Sequence, residues 1–103
     1  MHIFIDLFDR KIKLTEERKE HILERLEMIN QELKIEETLA NPELIKRSAS
    51  AEDVVIYYRK YTKTPVTSKY LAVVVKLDSK ENFIISSYFT DRIKKGEFIW
   101  KKN

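Results

Sequence analysis

The sequence predicts an α+β domain: N-terminal helices packed on one face of a four-stranded antiparallel β-sheet, with an extra edge strand at the N-terminus. Three observations point there. Tyr70 to Leu77, Tyr-Leu-Ala-Val-Val-Val-Lys-Leu, is apolar almost without interruption and dense in β-branched residues, the pattern of a strand shielded on both faces. Residues 15–46 instead space their apolar side chains at helical intervals. Charge divides the same way: residues 1–53 hold nine Lys/Arg against thirteen Asp/Glu, and residues 54–103 hold eleven against four. An acidic helical half therefore faces a basic sheet half, and a basic sheet attracts phosphates.

A chain of 103 residues makes one domain, 1–103, with residues 15–46 as its helical part and 53–102 as its sheet. Without cysteine there are neither disulfides nor thiolate metal sites, which fits a reducing cytoplasm. Met1 to Phe8 is too short for a secretory signal and carries Asp6. No apolar run approaches the roughly 20 residues of a membrane span, so no membrane partner is expected.

In chain order, Ile3, Ile5 and Leu7 alternate with Phe4 and Phe8, and Ile12-Lys13-Leu14 follows Asp9-Arg10-Lys11. This reads as a short edge strand or arm, its charges guarding an exposed edge. Thr15 is a good N-cap, and Glu16 and Glu17 suit the positive end of a helix dipole. Arg18, Ile22, Leu26, Ile29 and Leu33 form the expected buried stripe, widened by Leu23. His21 and Arg25, four residues apart, point the same way from its flank.

A second helical stretch runs from Gln31 to Leu39 and ends at Ala40-Asn41-Pro42, because proline disfavours a helical residue before it. Pro42 can open one further turn, Glu43-Leu44-Ile45-Lys46, and Arg47 to Ala51 reads as a linker into the sheet. Asp53 to Tyr61 is the first expected sheet strand and Tyr70 to Leu77 the central one, joined by Thr62 to Ser68. After the loop Asp78 to Asn82, Phe83 to Thr90 returns as the third. Asp91 to Gly96 is a turn holding the one glycine, with Lys94 and Lys95 solvated. Glu97 to Trp100 is the fourth strand, and Lys101 to Asn103 frays.

The two-residue period of a strand sorts the faces. Val54, Ile56 and Tyr58 oppose Val55, Tyr57, Arg59 and Tyr61; Leu71, Val73, Val75 and Leu77 oppose Tyr70, Ala72, Val74 and Lys76. In the third strand Phe83, Ile85 and Phe89 share one side, and Ile84, Ser86, Tyr88 and Thr90 the other. One face is apolar. The other offers hydroxyls, phenols and cations.

One glycine excludes Gly-rich phosphate loops and dinucleotide fingerprints. Two histidines, His2 and His21, and no cysteine make no metal cluster, and no cofactor is implied. What remains is a kit of Arg, Lys, Tyr, Ser/Thr and one histidine on a helix flank. Those groups suit metal-free RNA cleavage by attack of the ribose 2′-hydroxyl on the adjacent phosphate. His21 fits acid–base work, Arg25, Arg47 or Arg59 can hold the phosphate, and Tyr57, Tyr58 or Tyr88 can stack a base or give a proton. Each has a plain structural reading beside it: packing or a cap for the histidine, half-buried sheet positions for the tyrosines, ion pairs with helix carboxylates for the arginines.

His21-Ile22-Leu23-Glu24-Arg25, Glu37 to Glu43, Tyr57-Tyr58, Tyr70 to Lys76, and Tyr88-Phe89-Thr90 through Lys94-Lys95-Gly96-Glu97-Phe98-Ile99-Trp100 together resemble the small phage- and mobile-element-associated nuclease domains grouped with barnase, EndoU, the tRNase colicins and RelE. The resemblance covers roughly Leu14 to Lys102. It implies metal-independent endoribonuclease activity on tRNA or mRNA, toxin-like, in the cytoplasm, restrained by an antitoxin or immunity protein. Carried onto this chain, it implies His21, Arg25, Tyr58 and Thr90 as catalytic residues, with Arg47, Tyr57, Arg59 and Tyr88 left for substrate binding. Relatives often continue His-Pro-Glu after the arginine, where this chain has Leu26-Glu27-Met28. Activity then rests on His21 with Arg and Tyr, or the chain is a nucleic-acid- or protein-binding module without cleavage. A third reading is an interaction domain that dimerises through an edge strand.

Overall fold

The computed structural model describes residues 1–67 and 69–103. Ser68, the last residue of the expected connection, lies outside the described residues. The elements are strands β1 (His2–Ile5) and β2 (Lys11–Leu14), helix α1 (Glu16–Leu23), a 3₁₀ turn (Leu26–Met28), helix α2 (Glu32–Ala40), and strands β3 (Leu44–Arg47), β4 (Val54–Lys60), β5 (Tyr70–Leu77), β6 (Asn82–Thr90) and β7 (Phe98–Lys101).

The expected four-stranded antiparallel sheet is a seven-stranded mixed one, ordered β1-β2-β6-β5-β4-β3-β7. Its centre matches expectation: β5 lies between β4 and β6, antiparallel to both. Three departures enlarge it. The N-terminal arm is a complete hairpin, and β2 joins β6 in parallel through Ile12↔Asn82 and Lys13↔Phe83. Leu44–Arg47, expected as a helical turn, is a strand antiparallel to β4, since a proline start suits extended chain as well as helix. The C-terminal strand crosses to the far edge and pairs with β3.

Both helices cover one face of the sheet, on which Phe4, Ile12, Ile22, Met28, Ile35, Leu39, Tyr57, Val73 and Ile84 form the main core. The far face has a smaller cluster of Leu44, Ile56, Tyr58 and Ala72, against which Tyr70, Val74, Tyr88 and Ile93 pack. Ile93 belongs to the crossover between β6 and β7 (residues 91–97), so that segment lies over the far face.

The helical stripe is corrected. Thr15 caps α1 as expected, its Oγ1 accepting the Arg18 N–H at 3.2 Å. The helix then stops at Leu23, and Met28 from the 3₁₀ turn takes the core position. Leu26 and Leu33 are left 78% and 76% exposed. Asn30, at φ 63°, turns the chain into α2, a conformation asparagine tolerates. A β-bulge also shifts the third strand: Val74 pairs with Ser86 and Val75 with Ile84, so Ile85 is extra. Ile84 therefore joins Phe89 on the helix face.

Candidate nucleic-acid interface

Beyond Phe83 the outer side of β6 has no strand neighbour among the described residues, and α1 with the turn after it packs there instead. That packing positions Arg25. Its guanidinium carbon stands 5.4 Å from the Tyr88 ring centroid, within cation–π range. Lys94 Nζ, from the crossover, lies 5.8 Å from the same centroid. The Tyr88 hydroxyl is enclosed and has no hydrogen-bond partner among the described residues.

Tyr58 is adjacent on the same face, its buried hydroxyl accepting the Lys94 backbone N–H at 3.1 Å. Burial pushes this phenol above its ordinary range; the Lys94 N–H pulls the other way, and nearby Tyr88 adds to the rise. Tyr70 meets the Tyr58 ring edge-on, with centroids 6.3 Å apart. Thr90, paired with Tyr70 in the ladder, closes the strand: its Oγ1 accepts the Arg92 N–H at 3.0 Å and donates to the Arg92 carbonyl at 3.2 Å. The far face is thus a tyrosine floor rimmed by cations. Aromatic rings and cations in alternation are what single-stranded nucleic acid requires.

Of the residues expected to work together, Arg25, Tyr58, Tyr88 and Thr90 belong to this face. His21 lies in the last turn of α1, which ends at Leu23, and Arg25 follows in extended backbone, so the two do not share a helix face as expected. The His21 side chain is half-exposed, with Nδ1 3.6 Å from Glu24 Oε1. The remaining three serve elsewhere. Tyr57 projects through the helix face and is fully buried, donating to Asp6 Oδ2 at 2.5 Å and accepting from Arg10 Nη2 at 2.9 Å. Arg59 donates to the carbonyl of Asn41, the C-cap of α2, at 2.6 Å. Arg47 pairs with Glu97 at 3.2 Å and donates to the Glu52 carbonyl at 2.6 Å. No protein family, curated protein or solved structure matches the chain.

Sequence reasoning gave Tyr70 no role; Lys94 and Lys95, expected as a solvated turn, are exposed as expected, and Lys94 also approaches the Tyr88 ring. The available signal was their place beside the one glycine in the basic half. Gly96 allows close approach: a Cβ built there would fall 2.0 Å from the Arg47 carbonyl oxygen. Among the described residues no three His, Cys, Asp or Glu side chains gather as metal ligands, and no helix is long and apolar enough to cross a membrane.

Proposed function

We propose that the chain is a small metal-independent endoribonuclease, acting in the cytoplasm on single-stranded RNA laid across the tyrosine floor. The observation that carries this reading is the convergence of Arg25 and Lys94 on the Tyr88 ring. Two cations beside one phenol suit a phosphate that gains negative charge in the transition state. In the reaction the 2′-oxygen forms a bond to phosphorus while the bond from phosphorus to the 5′-oxygen breaks. His21, half-exposed in the last turn of α1, takes the 2′-hydroxyl proton. The departing 5′-oxygen takes its proton from water, since the Tyr88 hydroxyl is enclosed. Tyr70, half-buried, stacks a flanking base, with the buried Tyr58 supporting its ring edge-on, and an antitoxin-like partner restrains the activity.

A second reading, RNA binding without cleavage, draws on the contact of His21 with Glu24 rather than with the floor. Incubating the purified chain with single-stranded RNA in chelator decides between them. Products ending in 2′,3′-cyclic phosphate and 5′-hydroxyl support the first. Salt-sensitive binding of intact RNA supports the second. Absence of binding removes both.

A further inference from the structure

A second cleft opens on the far face beside the tyrosines, between the β3–β4 loop and the crossover. It has a volume of about 350 Å³ and is lined by Ser48, Ala49, Ser50, Ile56, Lys94 and Lys95. We infer that this cleft is a second phosphate subsite, holding the backbone phosphate next to the one gripped by Arg25 and Lys94. The ligand is then a polynucleotide and not a mononucleotide. The inference rests on the RNA reading above and deepens it.

Donors dominate the walls. Ser48 and Ser50 hydroxyls lie 3.0 Å apart, and the Ser50 N–H donates to Ser48 Oγ at 3.3 Å. Whichever hydroxyl donates to the other, one hydroxyl hydrogen remains to point at a ligand. Among the described residues neither Lys94 nor Lys95 is ion-paired, although acidic side chains are near. Glu97 is engaged by Arg47 at 3.2 Å and Asp53 by Lys76 at 3.7 Å. Glu97 and Asp53 are thus engaged by other cations, while the neighbouring Glu52 carboxylate has no ion pair among the described residues, and the two lysines are free of ion pairs for an incoming anion. Ile56, 3% exposed, forms an apolar floor that a ribose can cover.

Lys94 links the two positions. Its side chain both approaches the Tyr88 ring and lines this cleft, while its backbone N–H is held by Tyr58. The two anion positions therefore follow one another along the crossover. The cleft is also built to hold its shape: Gly96 lies against the Arg47 carbonyl, and the Arg47 N–H donates to the Glu97 carbonyl at 2.8 Å.

The test uses a short 2′-O-methylated single-stranded oligoribonucleotide, which cannot be cleaved by its own 2′-oxygen, and a dinucleoside monophosphate that carries one phosphate. Binding of both is measured against salt for the wild-type chain, Lys95→Gln and Ser50→Ala. Lys95 and Ser50 are exposed, so both variants are expected to melt with the wild type, and each checks the other. For the oligonucleotide, Lys95→Gln lowers the slope of log affinity on log salt by about 0.7, the value for one phosphate contact on a single strand. Ser50→Ala weakens its binding severalfold, and neither variant alters the dinucleoside monophosphate. An unchanged slope and affinity for the oligonucleotide in both variants overturns the subsite while leaving RNA binding intact. Equal weakening toward both probes overturns it too, because Lys95 then acts at the first phosphate. A wild-type chain that binds neither probe overturns the RNA reading and the subsite together.

Discussion

Tyr57 and Tyr58 are neighbours in the chain, yet their hydroxyls end on opposite faces of the sheet. Tyr57 binds the Asp6 carboxylate under the helices, and Tyr58 binds the Lys94 amide under the crossover. One position ties the N-terminal hairpin to the sheet; the other anchors the cationic rim of the candidate site. Alternation along a single strand thus separates the stability of the fold from its surface chemistry.

The Asp6 carboxylate is 3% exposed and accepts four hydrogen bonds: from the backbone N–H of Phe8 at 3.0 Å and of Arg10 at 2.8 Å, from Arg10 Nε at 2.9 Å and from Tyr57 at 2.5 Å. Removing one partner leaves the others desolvated and short of a bond. Tyr57→Phe is expected to cost about 1–3 kcal/mol, and Asp6→Ala about 3–5 kcal/mol, because it leaves the Arg10 charge uncompensated. Equilibrium urea unfolding measures both. RNA affinity of Tyr57→Phe should equal that of wild type under conditions where the variant is folded. A stable Asp6→Ala protein would show that the hairpin does not depend on this network.

Alkaline pH should reveal the same network. Burial, reinforced by the Asp6 carboxylate, holds the Tyr57 phenol above its ordinary range, and burial also raises Tyr58 and Tyr61. A folded-state value above the unfolded one contributes stability that is present below about pH 10 and lost as pH rises through the folded-state value. Stability is therefore expected to fall above about pH 10, less steeply in Tyr57→Phe. Denaturant titrations across that range measure the slope, and an identical slope in the variant would assign the loss to other groups.

How far the fold could be read from the chain depended on how local each signal was. Val54 to Lys60, Tyr70 to Leu77 and Asn82 to Thr90 are dense in β-branched and aromatic residues, and their strands follow directly. Thr15 and Pro42 carry their signals within one or two residues. By contrast, β3 and β7 span four residues each, and their pairing is decided by distant partners. The parallel join of β2 to β6 spans two residue pairs and has no local signature. Neither glycine nor proline marks the end of α1 at Leu23, so an even apolar spacing continued past the break. For the site, residue type pointed to Arg25, Tyr58 and Tyr88, whereas Lys94 depended on the course of the crossover, which follows from where β7 docks.

That broken stripe makes a contrast between two substitutions. Leu33 is 76% exposed and Val73 fully buried in the sheet. Leu33→Asp should change stability by no more than about 0.5 kcal/mol, as for surface positions generally. Val73→Asp buries an unpaired carboxylate at a cost of several kcal/mol, a large share of the roughly 5–15 kcal/mol that holds a domain together. Thermal melts followed by circular dichroism distinguish them, and a large loss in Leu33→Asp would mean that the uninterrupted helical stripe is real.

On the proposed RNA reading, Arg25 and His21 separate binding from cleavage. Arg25 touches the site through the Tyr88 ring, so Arg25→Ala should lower the salt slope of RNA binding by about 0.7 and weaken affinity for all sequences alike. His21 is half-exposed beside Glu24, and His21→Ala should leave binding unchanged while slowing cleavage about 10²–10⁴-fold, the usual contribution of acid–base catalysis. Single-turnover cleavage and filter binding measure the two effects. Wild-type cleavage by His21→Ala would take the imidazole out of the mechanism.

Gly96 connects the fold to the site. A methyl group there would overlap the Arg47 carbonyl oxygen, a backbone atom that cannot swing aside. Relief requires the crossover to move away from β3, and with it the Lys94 amide that Tyr58 accepts and the Lys95 side chain over the Ser48–Ser50 loop. Gly96→Ala is therefore expected to cost about 1–3 kcal/mol and also to weaken RNA binding, although residue 96 carries no charge. Calorimetry gives the first quantity and oligonucleotide titration at a temperature where the variant is folded gives the second. Full affinity in a destabilised Gly96→Ala chain would show that the crossover is a strap over the sheet and not part of the RNA surface.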